Sequence, residues 1–247
     1  MNKDERSRFF YAPPGDLRAE RFFFSGDEAR HVTRSLRLGE GARVTVVDGE
    51  GNGALVALFR EGERTGGEVI ERFRSASEPP VLITLAVGLP KRNGMDEIVE
   101  RGAEIGVARF LPFEAERTVI RSGRPREGTR EERWRRIALA SMKVARGARL
   151  SRIDPTGRLE EVIAAATDHD RVFLLDREGS PFPVPRVGER VLLVVGPEGG
   201  FTPEEEERLR SAGARTLSLG PRNLRTATAA LVAAARFVPS PSDAGSG

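Results

Sequence analysis

Leu193-Val-Val-Gly-Pro-Glu-Gly-Gly-Phe-Thr-Pro-Glu-Glu205, followed by Leu217-Ser-Leu-Gly-Pro-Arg-Asn-Leu-Arg-Thr-Ala-Thr228, is a pair of segments of one design. Each runs from an apolar strand through a glycine-containing loop into a helix. In the first, Arg190 to Val195 reads as a buried β run, and Gly196 with Gly199 and Gly200 lets the backbone turn sharply. Thr202-Pro203-Glu204-Glu205 then has the pattern of a capping box with proline at the first helical position. One such loop taken alone reads as a plain strand–turn–helix connection, since loops use glycine freely. Two in succession favour the two halves of a ligand pocket.

The residues in these loops narrow the ligand. A phosphate cradle needs bare amides at a helix N-terminus and a lysine after the glycines. Here Glu198 occupies the loop, and Glu204 to Glu207 crowd the helix start, where they compete with an anion. A neutral or cationic ligand is expected instead. An adenosine carrying a sulfonium, as in S-adenosylmethionine, suits loop backbone that can bond adenine and strand-end carbonyls that tolerate positive charge.

Alternating elements extend outward from this pair. Val81 to Val87 is a continuous apolar run of the kind buried on both faces of a parallel sheet. A helix is predicted over Met95 to Ile105, with Ile98, Val99, Gly102 and Ile105 on one side and Gly106 as its stop. Phe110 to Phe113, Arg171 to Leu175, Val191 to Val195 and Thr216 to Leu219 read as further strands, and Pro203 to Ala212 and Thr226 to Phe237 as helices. Thr129-Arg-Glu-Glu132 is a second capping-box pattern, opening a helix with Trp134, Ile137, Ala138 and Ser141 on one side and Arg133, Arg136 and Lys143 outward. The pattern predicts an α/β fold with a mostly parallel sheet, ligand at the C-terminal strand ends, where Asp176, Gly196 to Gly200 and Gly220 to Arg225 converge.

A boundary is expected near Ser75 to Pro80. Before it, Arg43 to Val47 and Ala54 to Phe59 are short β runs joined by Asp48-Gly-Glu-Gly-Asn-Gly53, a hairpin connection. Its spaced glycines do not make a dinucleotide fingerprint, because a strand rather than a helix follows. Glu28 to Leu38 is expected to be a short helix with Val32, Leu36 and His31 on or near its inner face.

Composition sets wider bounds. At 247 residues and 38% hydrophobic, the chain can bury one large or two modest cores. Without cysteine there are no disulfides or thiolate ligands, and two distant histidines, one of them His169 between Asp168 and Asp170, make a poor metal set. No apolar run approaches the ~20 residues of a membrane helix, and the expectation is a cytoplasmic protein with no membrane and no metal. The net charge is only +3, yet twelve basic residues between Arg117 and Arg152 face three glutamates, an excess suited to a phosphate backbone. With only three lysines among 40 basic residues, biased codon usage also accounts for the arginines, and a solvated face is the alternative.

Gly196-Pro-Glu-Gly-Gly-Phe201 followed by Leu219-Gly-Pro-Arg-Asn-Leu-Arg-Thr226 resembles the signature of the ribosomal small subunit methyltransferase E family, within the SPOUT class. Met95-Asp-Glu-Ile-Val-Glu-Arg-Gly-Ala-Glu-Ile-Gly-Val107, Phe113-Glu-Ala-Glu-Arg-Thr118 and Arg133-Trp-Arg-Arg-Ile-Ala138 fall in the order and spacing of that family. The resemblance implies a small PUA-like β-barrel for RNA (residues 1–76), a SPOUT-type trefoil-knotted parallel-sheet domain (77–238) and a disordered tail (239–247). It also implies S-adenosylmethionine as cofactor, methylation at N3 of a uridine in 16S ribosomal RNA, the small-subunit RNA or 30S particle as partner, and a homodimer.

Carried onto this sequence, the resemblance gives Leu175, Asp176, Gly196, Pro197, Glu198, Gly199, Gly200, Leu219, Gly220, Leu224, Arg225 and Thr226 as cofactor contacts. Arg225 or Arg222 is expected to stabilise charge on the uracil ring, with Glu198 orienting a substrate or cofactor group. RNA contacts are expected from Arg8, Arg34, Lys91, Arg92, Arg117, Arg121, Arg124, Arg133, Arg136, Arg146 and Arg149. The chain departs from the family at Ala227, where a glutamate is common, and at Gly94, Val144, Ala145 and the Arg146-Gly147 pair. Two alternatives therefore stand beside the enzyme: a divergent RNA-binding paralogue without catalysis, and a knotted methyltransferase acting on another RNA.

Overall fold

The structure is a computed structural model describing residues 8–34, 38–91, 94–118 and 129–238. It divides into two compact units, the first formed by Met1–Glu78 with Met142–Leu150 and the second by Pro79–Ser141 with Ser151–Gly247.

The first unit contains β1 (Phe9–Tyr11), α1 (Pro14–Arg18), β2 (Arg21–Phe23), α2 (Gly26–Arg34), β3 (Arg43–Val47), β4 (Asn52–Glu61) and β5 (Arg64–Arg74), and its sheet runs β1-β3-β4-β5-β2. The β3–β4 pair is the hairpin the sequence predicts, and its turn is tied by the Asp48 carboxylate, which accepts from the backbone N–H of Glu50 (2.7 Å) and Asn52 (3.1 Å). Phe10, Phe22, Val32, Val44, Val46, Val56 and Leu58 pack the core. Gly66 and Gly67 of β5 are required there, because a Cβ at either would lie 2.3 Å from the Phe59 ring or the Val56 side chain.

His31 is exposed yet meets the buried Phe10 ring edge-on at 5.5 Å between centroids, near the inner face of α2. One expectation fails in this unit. Lys143 does not reach outward: its ammonium lies 2.8 Å from Glu28 Oε2, with only 16% of the side chain exposed. The other oxygen of Glu28 accepts from Tyr11 N at 2.9 Å, so one carboxylate fastens β1 and the 142–150 segment to α2. Glu78 holds the same segment by accepting from Ala148 N and Arg149 N (3.0 Å). These long-range ties explain why that segment belongs to the first unit although residues 79–141 precede it. Leu36 lies outside the described residues.

The second unit contains β6 (Leu82–Gly88), α3 (Gly94–Ile105), β7 (Arg109–Glu114), α4 (Thr129–Val144, whose last residues fall in the first unit), β8 (Arg152–Ile153), β9 (Gly157–Arg158) and α5 (Leu159–Ala166). It continues with β10 (Arg171–Ser180), β11 (Arg190–Val195), α6 (Pro203–Ser211), β12 (Arg215–Leu217) and α7 (Thr226–Arg236). The strands order as β12-β10-β11-β6-β7-β8, with β9 also on β7, and every pairing is parallel. Leu192 and Val194 of β11 join the apolar cluster covered by α5 and α6, built on Val162, Ala165 and Leu209. Alternation along the strand sends Val191 and Leu193, both fully buried, to the other face. There α7 packs on α3, β6 and β11. Covering both faces explains the unbroken apolar runs of β6 and β11.

α3 approaches β7 closely at Gly102, where a Cβ would meet the Phe110 ring at 2.7 Å. β10 is longer than predicted because, after Leu175 pairs with Leu217, the chain loops out and Ser180 returns to the same partner. The capping group of Thr129 and the tail 239–247 lie outside the described residues, as does most of the loop before α4.

Candidate functional site

The parallel sheet brings the C-terminal ends of β10, β11 and β12 side by side, and the connections leaving them enclose a cavity of about 400 Å³. Leu175 and Asp176 line it from β10, Gly196, Pro197, Glu198 and Gly200 from the loop after β11, and Leu219, Gly220, Leu224, Arg225 and Thr226 from the connection into α7. Arg222 also stands on its wall. Gly199 does not: a Cβ there would meet Arg117 O at 2.9 Å, so its small size serves packing against the chain after β7. Arg177, Phe201, Glu206 and Asn223 line the cavity as well. Asn223 sits inside the quoted motif and Phe201 directly follows Gly199-Gly200, but nothing in the pattern marked Arg177.

Each loop is fixed by contacts that the sequence explains. Gly200 and Gly220 have φ of +69° and +104°, the left-handed region where glycine is at ease. After β11, Thr202 Oγ1 accepts from Glu205 N at 3.2 Å while Glu205 Oε2 accepts from Thr202 N at 2.9 Å, the reciprocal capping box read from the sequence. Glu205 is buried, and its other oxygen accepts from Glu116 N at 2.8 Å. Glu206 is paired with Arg210 at 2.7 Å. Glu207 accepts from Ser211 Oγ at 3.4 Å, so three of the four glutamates at this helix start are already engaged, and they compete with an anion less than a simple count suggests. Glu198 Oε1 accepts from Lys91 N at 3.0 Å, joining this loop to the one after β6. At the start of α7, Thr226 is buried and donates through Oγ1 to Gly196 O at 3.2 Å, tying the two glycine loops together.

The wall combines Asp176, Glu198 and Glu206 with Arg177, Arg222 and Arg225, so a ligand bearing both charges finds partners for each. A positively charged carbon donor and a carboxylate fit such a lining, with backbone groups available for a base. Ala227, the departure from the family pattern, is half-buried in α7 and is not on the cavity wall.

The basic candidates are spread over both units. In the first, Arg8 and Arg146 are exposed, the latter with φ of +59°, and Arg149 lies half-buried with Nε 4.0 Å from Glu78. In the second, Lys91 and Arg136 are exposed, Arg117 is exposed but donates to Phe201 O at 3.1 Å, and Arg133 pairs with Asp96. The side chain of Arg34, and Arg92, Arg121 and Arg124, lie outside the described residues. Ion pairs at Arg133, Lys143 and Arg149 neutralise part of the excess counted from the sequence.

His169 serves the fold. Ala165 O can only accept, so Nδ1 carries the proton across their 2.7 Å contact, leaving Nε2 to accept from Thr84 Oγ1 at 2.8 Å. Burial lowers its pKa, with Arg109 and Arg190 nearby adding to the effect. Among the described residues no group of three or more His, Cys, Asp or Glu is placed to hold a metal, and no helix is long and apolar enough to cross a membrane.

Comparison with known proteins matches residues 77–238 to an RNA methyltransferase domain and residues 24–65 to an RNA methyltransferase PUA domain. Ribosomal RNA small subunit methyltransferase E of Bacillus subtilis is 30% identical over 227 residues, covering 87% of this chain and 88% of the relative. The protein of the same name from Mycobacterium bovis is 32% identical over 220 residues, covering 84% and 82%. A methyltransferase of Legionella pneumophila, solved in complex with the bound cofactor SAM, superposes with a TM-score of 0.82 at 25% identity, over 94% of this chain and 97% of that one.

Proposed function

The chain belongs to the ribosomal RNA small subunit methyltransferase E family of RNA methyltransferases, and from that membership we propose that it transfers a methyl group from S-adenosylmethionine to N3 of a uridine in 16S ribosomal RNA. The observation that carries this reading is that both glycine motifs and the end of β10 converge on one cavity. Its volume lies within the range of small-molecule sites. Its glycines offer close backbone approach, and its carboxylates suit a sulfonium and an ammonium group. Bound there, S-adenosylmethionine supplies a methyl carbon that takes a nitrogen lone pair as its bond to sulfur breaks.

The residues of this chain supply position and charge. N3 lies on the Watson–Crick edge, so the base is unpaired or turned out of its stack to reach the cavity. N3 also gives up its proton, to solvent water, before or as it attacks, which places negative charge on the ring oxygens. Arg225, with Arg222 beside it on the wall, stabilises that charge through forked guanidinium donors. Glu198 holds the loop after β6 through Lys91 N and orients the cavity's β11 side. Asp176, Gly196 to Glu198, Gly200, Leu219, Gly220 and Leu224 to Thr226 hold the donor, and the basic residues of both units meet the RNA backbone.

The same reading takes the first unit as a PUA-like barrel and the return of α7 over β6 and β11 as the threaded crossover of a trefoil knot. The enzyme works in the cytoplasm as a homodimer on the small-subunit RNA or 30S particle. A non-catalytic paralogue is favoured only by Ala227, which stands off the cavity wall. Nucleoside mapping of 16S RNA after incubation of unmodified 30S particles with protein and S-adenosylmethionine tests the proposal. N3-methyluridine at one position is expected. Methylation of another base, or none, contradicts it.

A further inference from the structure

Ser218, which is not on the cavity wall, attaches the turn that carries Gly220 to its neighbours. Its Oγ donates to Arg177 O at 2.7 Å and accepts from Gly220 N at 3.1 Å. Its backbone N–H donates to Ser180 O at 3.0 Å. One residue thus joins the loop-out of β10 (Arg177, Ser180) to the loop after β12 (Gly220), and Arg177 and Gly220 are both wall residues. The loop-out has little freedom of its own. Asp176 Oδ1 accepts from Glu178 N at 2.9 Å, and a Cβ on Gly179 would lie 2.3 Å from Leu217 C, so the chain at Gly179 lies directly on the end of β12.

On the other side of the cavity, Thr226 makes the equivalent link to Gly196 O. The hydroxyl at 218 is the counterpart for the wall opposite. It does two jobs no apolar side chain can do: it satisfies a carbonyl that the loop-out leaves without a strand partner, and it fixes the N–H of a glycine with φ of +104°.

Resting on the reading of the cavity as a methyl-donor site, we propose that Ser218 is a positioning residue for the donor: it sets the distance between the Asp176–Arg177 turn and the Gly220 turn, and thereby the donor's affinity, without touching donor or RNA. Removing its Oγ frees both turns. The donor then orders them on binding, which weakens affinity and leaves turnover at saturation almost intact.

The test is calorimetric titration of S-adenosylmethionine into the full chain, into Ser218→Ala and into Ser218→Thr, with transfer kinetics on 30S particles and thermal melting in parallel. The loss of two hydrogen bonds predicts a Kd and a donor KM raised about tenfold in Ser218→Ala, kcat within about twofold, and near-complete recovery in Ser218→Thr. Thr167→Val, which removes a hydroxyl bonded to Ala164 O before the N-terminal end of β10, the end away from the cavity, is expected to lower the melting temperature without changing Kd. If Ser218→Ala fails to fold, Ser218→Cys, close in size but a weak donor, must show the same rise in Kd. Unchanged donor affinity in a folded Ser218→Ala or Ser218→Cys, against a binding parent chain, overturns the role of Ser218 alone. No donor binding by the parent chain overturns the functional reading and this proposal with it.

Discussion

Gly88 ends β6 opposite Phe113, and replacing it by alanine tests how tightly the cavity wall is built. Its φ is not positive, so alanine fits the backbone there and only the added methyl matters. That methyl would lie 2.5 Å from Pro197 Cδ and 2.6 Å from Pro197 N. Because Pro197 N is backbone, a side-chain rotation cannot relieve the contact. Restoring ordinary separation moves the Gly196–Glu198 loop by about 0.8–1 Å. Overpacking of this kind costs about 1–3 kcal/mol, and a shift of about 1 Å in positioning groups can cost about a hundredfold in rate.

Urea denaturation of Gly88→Ala is therefore expected to show a loss in that energy range. Calorimetry should show S-adenosylmethionine bound about tenfold more weakly, and turnover on 30S particles should fall further. Gly213→Ala is the control: φ is +91° with nothing within 4 Å of the added atom, so it carries about 1–2 kcal/mol of backbone strain and no wall movement. Parent-like affinity and turnover in Gly88→Ala, or equal losses of affinity in both variants, would refute the steric reasoning.

Arg225→Ala is expected to lower kcat by about 10²–10³-fold, while Arg225→Lys, which keeps charge but loses the fork, falls about tenfold; equal turnover in all three proteins removes Arg225 from the chemistry. Glu205→Ala leaves the N–H groups of Thr202 and Glu116 without their acceptor in a buried site, at about 3 kcal/mol by urea denaturation; a loss under about 1 kcal/mol would contradict the capping account. His169 has a folded pKa lowered by burial. As pH falls below about 6.5 the unfolded chain takes up the proton first, so the stability this group contributes is present above that pH and is lost as pH falls toward the folded pKa. Melting between pH 7.5 and 5 should show that slope, and it should flatten in His169→Asn; an unchanged slope would count against it.

How much was legible depended on whether the signal was local. The runs of β6, β10 and β11, the helices α3, α6 and α7, and the Thr202–Glu205 box were readable because a parallel sheet covered on both faces leaves continuous apolar strands and because capping is written within four residues. β1, β2, β8 and β9 have only two or three residues each, too short for a period, and β5 is largely polar and exposed, so no alternation marked it. Lys143 was misread because its partner, Glu28, lies 115 positions away. The cavity's glycine loops were legible as motifs. Arg177 and the hydroxyl of Ser218 were not, since their placement depends on the loop-out of β10 around the end of β12, which pairing in three dimensions creates.

On the proposed function, the rim formed by β10, β11 and β12 grips the methyl donor. Diffraction from crystals grown with S-adenosylmethionine measures this directly. The donor is expected in the cavity between Gly196–Gly200 and Leu219–Arg225, with its sulfonium side open to the RNA base; a donor ordered elsewhere on the chain, with this cavity empty, would contradict that function.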